Sequence, residues 1–481
     1  MKRRLAAQSV LAAALVATLG CGANDGGVVV ESAGGDVSAS CGNDVVDEGE
    51  ECDGTDDCTS ECLVNVCGDG FLGAGEQCDD ANGEDADSCT AQCELGPQAV
   101  LDIAMGEYHV CAVSLSGAVK CWGASDYGRL GQPGYDENIG DDEAPSDWDD
   151  VEVASGVVEL VAGSDHTCAL LDSGRVACWG YNNGRQLGYD HNDNVGDDET
   201  PASAGDVGLA GVIGLAAGDT HTCALLSGGD VTCWGQGASA LGYGDSMSSM
   251  DGDTAGSLGL VSLQGPAAEI TAGNSHTCAR LESGEVTCWG ANESGQLGTG
   301  QPDAIGDDEV PSSIPTIDLG GTAVDIDAGW HTTCAALSDG SARCWGSNSS
   351  GQLGNGGTED VGDRKTPAEE GVVLFDGEAI GVEVGKSHAC AITAAGSVHC
   401  WGTGQYLGYE DYESRAQPGR AVALGVGATA LEIGAETSCA VTKSAGVRCW
   451  GGNVGGVLGQ PEAGGYSSTS DPATHGDIDI F

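Results

Sequence analysis

Seven pairs of cysteines, the members of each pair ten positions apart, limit what this chain can fold into. Between Cys168 and Cys178, two alternating segments flank the loop 172–174, which has Gly where a left-handed conformation is needed. In that register the two cysteines face each other at a non-hydrogen-bonded position, with Cα atoms about 4.5 Å apart and within disulfide reach. The spacing therefore predicts seven disulfide-closed β-hairpins. Their cysteines are Cys111 and Cys121, Cys168 and Cys178, Cys223 and Cys233, Cys278 and Cys288, Cys334 and Cys344, Cys390 and Cys400, and Cys439 and Cys449.

A structural role for these cysteines fits the sequence better than zinc binding or redox catalysis. Structural zinc sites use closely spaced C-x-x-C ligands, and the repeat region contains none. Reactive thiols favour electropositive surroundings, whereas this chain has 16 Lys and Arg against 75 Asp and Glu. Each bridge should stabilise its hairpin by roughly 2.5–3 kcal/mol. The loop Gly recurs in six hairpins; the seventh has Ala445 followed by Gly446, and we expect its turn to differ.

The residues around each cysteine pair form a longer repeat, whose copies start 49 to 57 residues apart. Its core is Gly-x-x-His-x-Cys-Ala, a turn, Cys-Trp-Gly and a Gly-Gln-Leu-Gly-like turn, seen whole in residues 273–298. This pattern resembles the repeats of the regulator-of-chromosome-condensation (RCC) family. The resemblance covers residues 99–481 and implies an all-β fold, a seven-bladed β-propeller with one four-stranded sheet per blade.

A propeller has to close its ring, because otherwise the first and last blades leave edge strands exposed. The C-terminal residues 472–480 echo residues 201–209, which in mid-chain precede Cys223 of the next repeat. We therefore expect the C-terminal strand to close the ring by supplying the outer strand of the blade that contains Cys111 and Cys121.

The net charge of -59 narrows the classes of partner. DNA, RNA and anionic lipid surfaces are polyanions and are poor partners for such an acidic chain. High acidity with few aromatic residues can also indicate disorder. The hydrophobic content of 40% and the regular Trp and Cys positions favour a packed propeller instead, and we expect it to be monomeric.

The first 20 residues have the features of an export signal, three cations followed by an apolar run over residues 11–19. This run is too short to span a membrane. The signal predicts an exported protein in a compartment that permits disulfides.

The end of the export signal, Thr-Leu-Gly-Cys, resembles a bacterial lipobox, which implies lipidation of Cys21; cleavage without a lipid is the alternative. Gly22 after this cysteine implies an outer-membrane or cell-surface lipoprotein, or a form released from the cell. Residues 21–40, rich in Gly, Ser, Ala and Asp, are predicted to be a lipid-anchored flexible linker. Contact with the membrane would then occur through the lipid alone.

Residues 41–94 form a separate cysteine-rich module of two tandem copies. The second copy resembles the Myxococcus-type cysteine-rich repeat of bacterial surface proteins. Each copy has four cysteines and could close two bridges, and the sequence leaves three connectivities open. Without Cys21, the 23 cysteines become an even 22, as a disulfide framework requires. The eight in this module are Cys41, Cys52, Cys58, Cys62, Cys67, Cys78, Cys89 and Cys93.

Clusters of carboxylates raise the question of calcium, which takes six to eight oxygen ligands. Three loops share a Gly-Asp-Asp-Glu-x-Pro sequence, and a further cluster lies in the cysteine-rich module. None has the D-x-[DN]-x-[DN]-G order of a known calcium loop, which favours solvated turns. We retain calcium only as the alternative hypothesis for Asp79, Asp80, Asn82, Asp87, Asp141, Asp142, Asp197, Asp198, Asp307 and Asp308.

One histidine per blade stands two positions before the first cysteine in five repeats, and Thr332 and Thr437 replace it in the other two. A ring of metal ligands is one interpretation. Because Thr also forms hydrogen bonds and separate blades would hold the side chains apart, structural hydrogen bonding is the favoured interpretation. The five are His109, His166, His221, His276 and His388.

Enzyme motifs such as G-x-S-x-G, H-E-x-x-H or a phosphate loop do not occur in the sequence. The leading hypothesis is therefore a non-enzymatic, surface-anchored binding or scaffold protein whose propeller loops engage a protein or glycan. An inhibitor that covers a secreted or periplasmic enzyme is the alternative. A glycan-processing enzyme is the third hypothesis, which the scarcity of Arg disfavours.

Overall fold

The computed structural model describes residues 77–78, 89–90, 93–135, 137–154, 156–245, 254–411, 413–461 and 472–481. The chain divides into two units. One consists of residues 98–442 and 446–481 and contains every strand named below; the other consists of residues 2–97 and 443–445. The predicted export signal, Cys21, the linker and the first cysteine-rich copy lie outside the described residues.

In the second unit, the structure joins Cys78 to Cys89 by a disulfide with Cα atoms 5.8 Å apart. Cys93 is also disulfide-bonded, and its carbonyl accepts a hydrogen bond of 2.9 Å from the Gln77 amide. The structure thus selects one bridge where the sequence left the connectivity open. Outside the described residues lie Cys41, Cys52, Cys58, Cys62, Cys67, Asp79, Asp80, Asn82 and Asp87.

The first unit is a seven-bladed all-β propeller, as expected, with each blade a sheet of three consecutive antiparallel strands. The inner strands are β1 (Val100–Met105), β4 (Val157–Ala162), β7 (Val212–Ala217), β10 (Ala267–Ala272), β13 (Ala323–Ala328), β16 (Ala379–Val384) and β19 (Ala428–Ile433). The middle strands are β2 (His109–Ser114), β5 (His166–Leu171), β8 (His221–Leu226), β11 (His276–Leu281), β14 (Thr332–Leu337), β17 (His388–Thr393) and β20 (Thr437–Thr442). The third strands are β3 (Val119–Gly123), β6 (Val176–Gly180), β9 (Val231–Gly235), β12 (Val286–Gly290), β15 (Ala342–Gly346), β18 (Val398–Gly402) and β21 (Val447–Gly451).

The hairpin between the middle and third strands has the predicted register. Leu170 pairs with Val176, and Cys168 pairs with Cys178. All seven pairs are joined by disulfides, with Cα atoms 4.0 to 4.1 Å apart. The disulfide-closed hairpins are therefore confirmed.

The expectation of a different seventh turn was wrong. Ala445 has φ of +66°, in the same left-handed region as Gly174 at +73° in the second blade. The amide of Thr442 donates to the carbonyl of Gly446 at 2.9 Å, as the amide of Leu171 does to the carbonyl of Arg175. Disulfide and strand pairing impose the turn, so Ala445 adopts a backbone conformation that Gly would take with less strain.

The expected fourth strand is present only as a short segment that makes a ladder-like hydrogen bond to the third strand, or an isolated bridge, as Val373 does with Ala342 in the fifth blade. In the first blade the amide of Val151 donates to the carbonyl of Val119, and in the second the amide of Val207 donates to that of Val176. A full strand would add further bonds, so the described sheets are three-stranded.

The C-terminal segment belongs to the last blade, not to the first, so that expectation was wrong. The amide of Ile478 donates to the carbonyl of Val447 in β21 at 2.8 Å. Residues 472–480 do correspond to 201–209, but each of these segments pairs with the blade before it. The carbonyl of Asp479 accepts a bond of 3.1 Å from the Ser146 amide, which follows the first blade. The segment thus connects the two ends of the ring, and on the last blade it also accepts a bond of 2.6 Å from Arg448 Nε at Asp477 Oδ1.

The ring of blades is closed by packing as well. Each inner strand packs against the inner strand of the next blade, and β1 packs against β19 of the last. The indole NH of Trp122 in the first blade donates to the Val457 carbonyl after the last, at 2.9 Å. The tryptophans of all seven Cys-Trp-Gly motifs are buried. Because neighbouring blades cover both faces of each middle strand, five of those strands are buried throughout, and the other two leave only Leu226 and Arg280 partly exposed.

The antiparallel order gives the propeller two different ends. Turns between inner and middle strands, and the long connections that leave the third strands, emerge at one end, which we call the loop end. The hairpin loops emerge at the other, the hairpin end. The long connections contain helices α1 (Pro201–Ala204) and α2 (Ala238–Leu241) and short 3-10 turns. Across the described ranges, no helix has the length and apolarity to cross a membrane.

Candidate functional site

The histidines that recur in the repeat bridge neighbouring blades. His166 Nε2 lies 2.9 Å from Thr222 Oγ1 of the next blade. Equivalent contacts of 2.8 to 2.9 Å join His109 to Thr167, His221 to Thr277, His276 to Thr333 and His388 to Ser438. We call these five the seam histidines. The structure supports hydrogen bonding within the blade seams as their role, the favoured interpretation.

The hydroxyl partners fix which nitrogen of the imidazole carries the proton. Thr222 Oγ1 donates its single proton to the Gln186 carbonyl at 2.8 Å. The hydroxyl must therefore accept from His166, so Nε2 is protonated and Nδ1 is not. The hydroxyls of Thr277 and Thr333 donate to loop carbonyls in the same way.

Burial keeps the seam histidines neutral. It lowers the pKa of His166 to about 3 and the pKa of His221 to about 4. Burial, with the Arg129 charge nearby, lowers the pKa of His109 well below its usual value. A neutral imidazole can donate one hydrogen bond across the seam without placing a charge in the core.

The two blades without a seam histidine are those whose next blade lacks a hydroxyl acceptor. The blade of Thr332 precedes Ala389, and the blade of Thr437 precedes Val110, where the other blades offer a hydroxyl. With no hydroxyl to receive the proton, a histidine Nε2 there would be buried unpaired. Thr332 instead donates to the Ser347 carbonyl of its own blade at 3.1 Å. At this position of the repeat, histidine is thus present only where the next blade offers a hydroxyl that can accept the Nε2 proton.

The same loop carbonyl receives a second donor. The indole NH of Trp234 donates to the Gln186 carbonyl at 2.9 Å. Equivalent bonds of 2.8 to 3.1 Å are made by Trp122, Trp179, Trp289, Trp345 and Trp401. Each such seam therefore links a tryptophan of one blade to the long connection of the blade before it. These connections form the loop end, so the seams hold its backbone in place.

Two groups of positioning residues were missed in the sequence. Asn182 and its counterparts follow Cys-Trp-Gly-x, and the Asn182 side chain binds the Leu187 amide and the carbonyls of residues 191 and 193. On the inner strands, the Asp102 carboxylate accepts from the Leu160 amide of the next blade at 2.9 Å. The recurrence of Asn after Cys-Trp-Gly was visible in the sequence. The role of Asp102 was not, since it depends on the position of the neighbouring strand.

The three Gly-Asp-Asp-Glu loops lie at the loop end. In each, the three carboxylates lie within 4.8 Å of one another, and both aspartates are exposed. Partial burial, with the adjacent carboxylate of Asp142, Asp198 or Asp308, raises the pKa values of Glu143, Glu199 and Glu309 to about 7. With one oxygen from each carboxylate, a trio supplies three of the six to eight oxygens that calcium takes. Calcium binding at these loops stays a prediction.

The equivalent loop of the fifth blade has the opposite charge. It reads Gly362-Asp363-Arg364-Lys365, and Lys365 forms an ion pair of 2.6 Å with Glu370. The amide of Gly346 donates to the Val361 carbonyl at 2.7 Å, as the amide of Gly180 does to that of Val195 in the second blade. The backbone is therefore shared and the charge is not, so the loop end presents different surfaces on different blades.

Two aromatic pairs lie beside the acidic loops of the first two blades. Tyr127 and Tyr181 have ring centroids 4.8 Å apart, and Tyr135 and Trp148 have centroids 4.9 Å apart. Tyr127 and Tyr135 are each 50% exposed. None of the four occupies a position of the seven-fold Cys-Trp-Gly pattern. They are features of particular blades rather than of the repeat.

The comparisons with known proteins agree with this architecture. Residues 63–422 match the model of the RCC1-like domain. The ultraviolet-B receptor UVR8 of Arabidopsis thaliana is 30% identical over 343 residues, which cover 70% of this chain and 71% of UVR8. The human E3 ubiquitin-protein ligase HERC2 is 30% identical over 256 residues, 51% of this chain but 5% of HERC2. The chain thus spans most of the first relative and a small part of the second.

Solved structures show the same fold at lower identity. Human WBSCR16 superposes with a TM-score of 0.58 at 18% identity, covering 73% of this chain and 91% of that one. Prp20p of Saccharomyces cerevisiae has a TM-score of 0.54 at 20% identity, covering 72% of this chain and 84% of Prp20p. From the family match, the UVR8 alignment and the seven blades, the chain belongs to the RCC1-like domain family.

Proposed function

We propose that this protein is an exported, surface-anchored, non-enzymatic binding or scaffold protein whose propeller engages a protein partner through its loop end. One observation carries the proposal. The side chains common to the blades are buried within the seams, whereas the long connections at the loop end carry side chains that differ between blades, acidic in three of them and cationic in the fifth blade. A rigid scaffold with variable loops at one end is the usual arrangement for recognition.

A protein of the same fold supports protein recognition as the activity. Prp20p binds Gsp1p and histones, and it also forms a complex with Kap60. Because one fold can serve many functions, we extend to this chain only the recognition of another macromolecule, not those partners.

The titratable groups favour binding over catalysis. The seam histidines are neutral and committed to hydrogen bonds between blades, so they are poor general bases. Glu143, Glu199 and Glu309 have pKa values of about 7, but their trios lie on loops with exposed aspartates. Such coupled surface carboxylates also occur without catalysis.

The proposed location comes from the first 40 residues. An export signal followed by a lipid on Cys21 would place the propeller at the outer membrane or cell surface, and the disulfides suit that compartment. Labelling cells with a radioactive fatty acid tests the anchor: Cys21→Ser should abolish incorporation into the chain.

The test of the proposed function is capture by crosslinking. The full-length, disulfide-intact chain should enrich one dominant protein from the envelope and secreted fractions of its own cells. If the captured protein is an enzyme and the purified chain inhibits it, the alternative hypothesis of an enzyme inhibitor is favoured. Hydrolysis of glycosides by the purified chain would overturn the proposal.

Two charge-matched variants locate the binding end. Asp198→Asn with Asp308→Asn removes two carboxylates at the loop end, and Asp230→Asn with Glu282→Gln removes two exposed carboxylates at the hairpin end. We expect the first pair to weaken capture and the second to leave it unchanged. The reverse result would assign recognition to the hairpin end.

A further inference from the structure

The seam between the first and second blades carries exposed aromatic side chains that are not part of the repeat motif. The rings of Tyr127 and Tyr181 pack together at 4.8 Å, and the guanidinium of Arg129 lies 5.5 Å from the centre of the Tyr127 ring. Arg129 is 3% exposed and forms an ion pair of 2.8 Å with Asp165. The arginine is therefore neutralised within the protein, and Tyr127 remains half-exposed above it.

Tyr127 adopts a strained backbone conformation. Tyr127 has φ of +63°, in the left-handed region, and the equivalent position of the seventh blade is Gly455, with φ of +73°. A large side chain there costs of order 1 kcal/mol or more relative to Gly. The packing of the buried half of the ring against Tyr181 offsets this cost, while the other half stays open to solvent. Strain at an exposed aromatic residue is typical of a binding position.

The second aromatic pair lies on the same seam. Tyr135 meets Trp148 edge to face at 4.9 Å, and the Trp148 indole NH donates to Glu143 Oε1 at 3.1 Å. The neighbouring Gly134 amide donates to the Asp197 carbonyl of the second blade at 2.8 Å. This bond connects the first blade's aromatic loop to the second blade's acidic loop.

The Asp197 loop also contacts the loop of the first aromatic pair. A Cβ on Gly128, next to Tyr127, would lie 2.4 Å from the Asp197 amide nitrogen, so the two backbones are in close contact. The loop 128–134 thus joins Tyr127 to Tyr135 along the acidic loop. We define the aromatic seam as Tyr127, Tyr181, Tyr135 and Trp148 with the carboxylates of Glu143, Asp197 and Asp198.

We propose that the aromatic seam binds a polypeptide segment rich in Lys and Arg; this rests on the proposed function and specifies its partner. Aromatic faces attract cations, and carboxylates beside them add to that attraction. The chain's net charge of -59 steers cationic segments towards it and repels anionic ones. A neutral glycan could stack on the rings and donate hydrogen bonds to the carboxylates, but it would gain nothing from the chain's net negative charge.

The binding test uses a fluorescently labelled octalysine peptide and the full-length, disulfide-intact chain, with affinity measured by anisotropy. Tyr127→Gly should weaken binding by about 3- to 10-fold, while the melting temperature changes little, because the lost packing of the ring and the relieved backbone strain oppose each other. Asp197→Asn with Asp198→Asn should also weaken binding. Octaglutamate and maltohexaose should not compete.

The matched control is Asp307→Asn with Asp308→Asn, in a loop of the same sequence that lacks the aromatic pairs. We expect it to weaken octalysine binding much less than the pair in the second blade. Equal losses from the two pairs, or unchanged binding by Tyr127→Gly, would show diffuse attraction by net charge and overturn the proposal. Competition by maltohexaose would indicate that the aromatic seam binds a glycan instead of a cationic segment.

Capture of the natural partner by Tyr127→Gly and by the wild type separates the site of recognition from recognition itself. If Tyr127→Gly captures the chain's own partner as well as the wild type does, the aromatic seam is not the site, and recognition elsewhere on the loop end stands. If the wild type captures no partner, the proposed function itself fails.

Discussion

The contact between His166 and Thr222 predicts a measurable coupling between two blades. Thr222→Val keeps the side-chain shape but removes the hydroxyl that accepts from His166 Nε2 at 2.9 Å and donates to the Gln186 carbonyl. The carbonyl keeps the Trp234 indole as a donor. The histidine keeps no acceptor, and a buried unpaired donor costs about 1–3 kcal/mol. We expect Thr222→Val to lower the free energy of unfolding by that amount.

Removing the histidine as well should relieve part of this loss. His166→Thr reproduces the pairing that the fifth blade uses natively, where Thr332 donates within its own blade and faces Ala389. His166→Thr alone also loses packing volume, but the double variant loses the same volume, so this contribution cancels in the double-mutant cycle. The double variant should therefore be more stable than the sum of the two single effects by about 1–2 kcal/mol.

The assay is urea unfolding at pH 7, followed by the fluorescence of the buried tryptophans. The control cycle combines His166→Thr with Thr277→Val, which contacts His221 in a different seam. These two changes should add to within about 0.5 kcal/mol. Additivity in the first cycle as well would refute the hydrogen-bond account of the seams.

Burial holds the pKa of His166 at about 3, whereas an unfolded histidine titrates near 6.5, so the unfolded chain binds more protons below pH 6.5. The free energy of unfolding should therefore fall as the pH falls. In urea unfolding, His166→Gln should lose about 2 kcal/mol less of this free energy between pH 7 and pH 5 than the wild type does. Parallel curves would contradict a neutral buried imidazole. Removing one hairpin disulfide by Cys168→Ser with Cys178→Ser should lower the free energy of unfolding by roughly 2.5–3 kcal/mol. The comparison is the same pair of substitutions in another blade. Deleting residues 472–481 should lower the melting temperature and increase hydrogen exchange in β21, since Ile478 binds Val447 there; unchanged melting would mean that the ring closes without this segment.

The parts of the fold set by local spacing could be predicted from the sequence. A ten-residue separation around a three-residue loop leaves one antiparallel register, and Cys168 pairs with Cys178 as that register requires. The recurrence of this unit predicts seven blades. Ala445 marks the limit of local spacing as a guide: the chain forces Ala into a turn for which Gly was expected.

Contacts between blades could be predicted only in part. The repeat marked the seam histidines, but the position of their acceptors depends on the packing of neighbouring blades. The substitutions at Thr332 and Thr437 become intelligible once Ala389 and Val110 are seen in the following blades. The C-terminal segment was aligned correctly yet assigned to the wrong blade, because similarity identifies an equivalent position and not its pairing partner.

The candidate binding surface was hidden from the sequence for a related reason. Tyr127, Tyr135 and Trp148 are not part of the recurring motif, so the repeat does not indicate them. Only the folded backbone brings them beside Asp197 of the next blade.

The most direct test of recognition through the loop end is hydrogen–deuterium exchange of the full-length chain with and without its captured partner. We expect protection of the loop end, strongest over residues 126–135 and 195–199, with the hairpin loops such as 172–174 unchanged. Protection confined to the hairpin end would contradict recognition through the loop end.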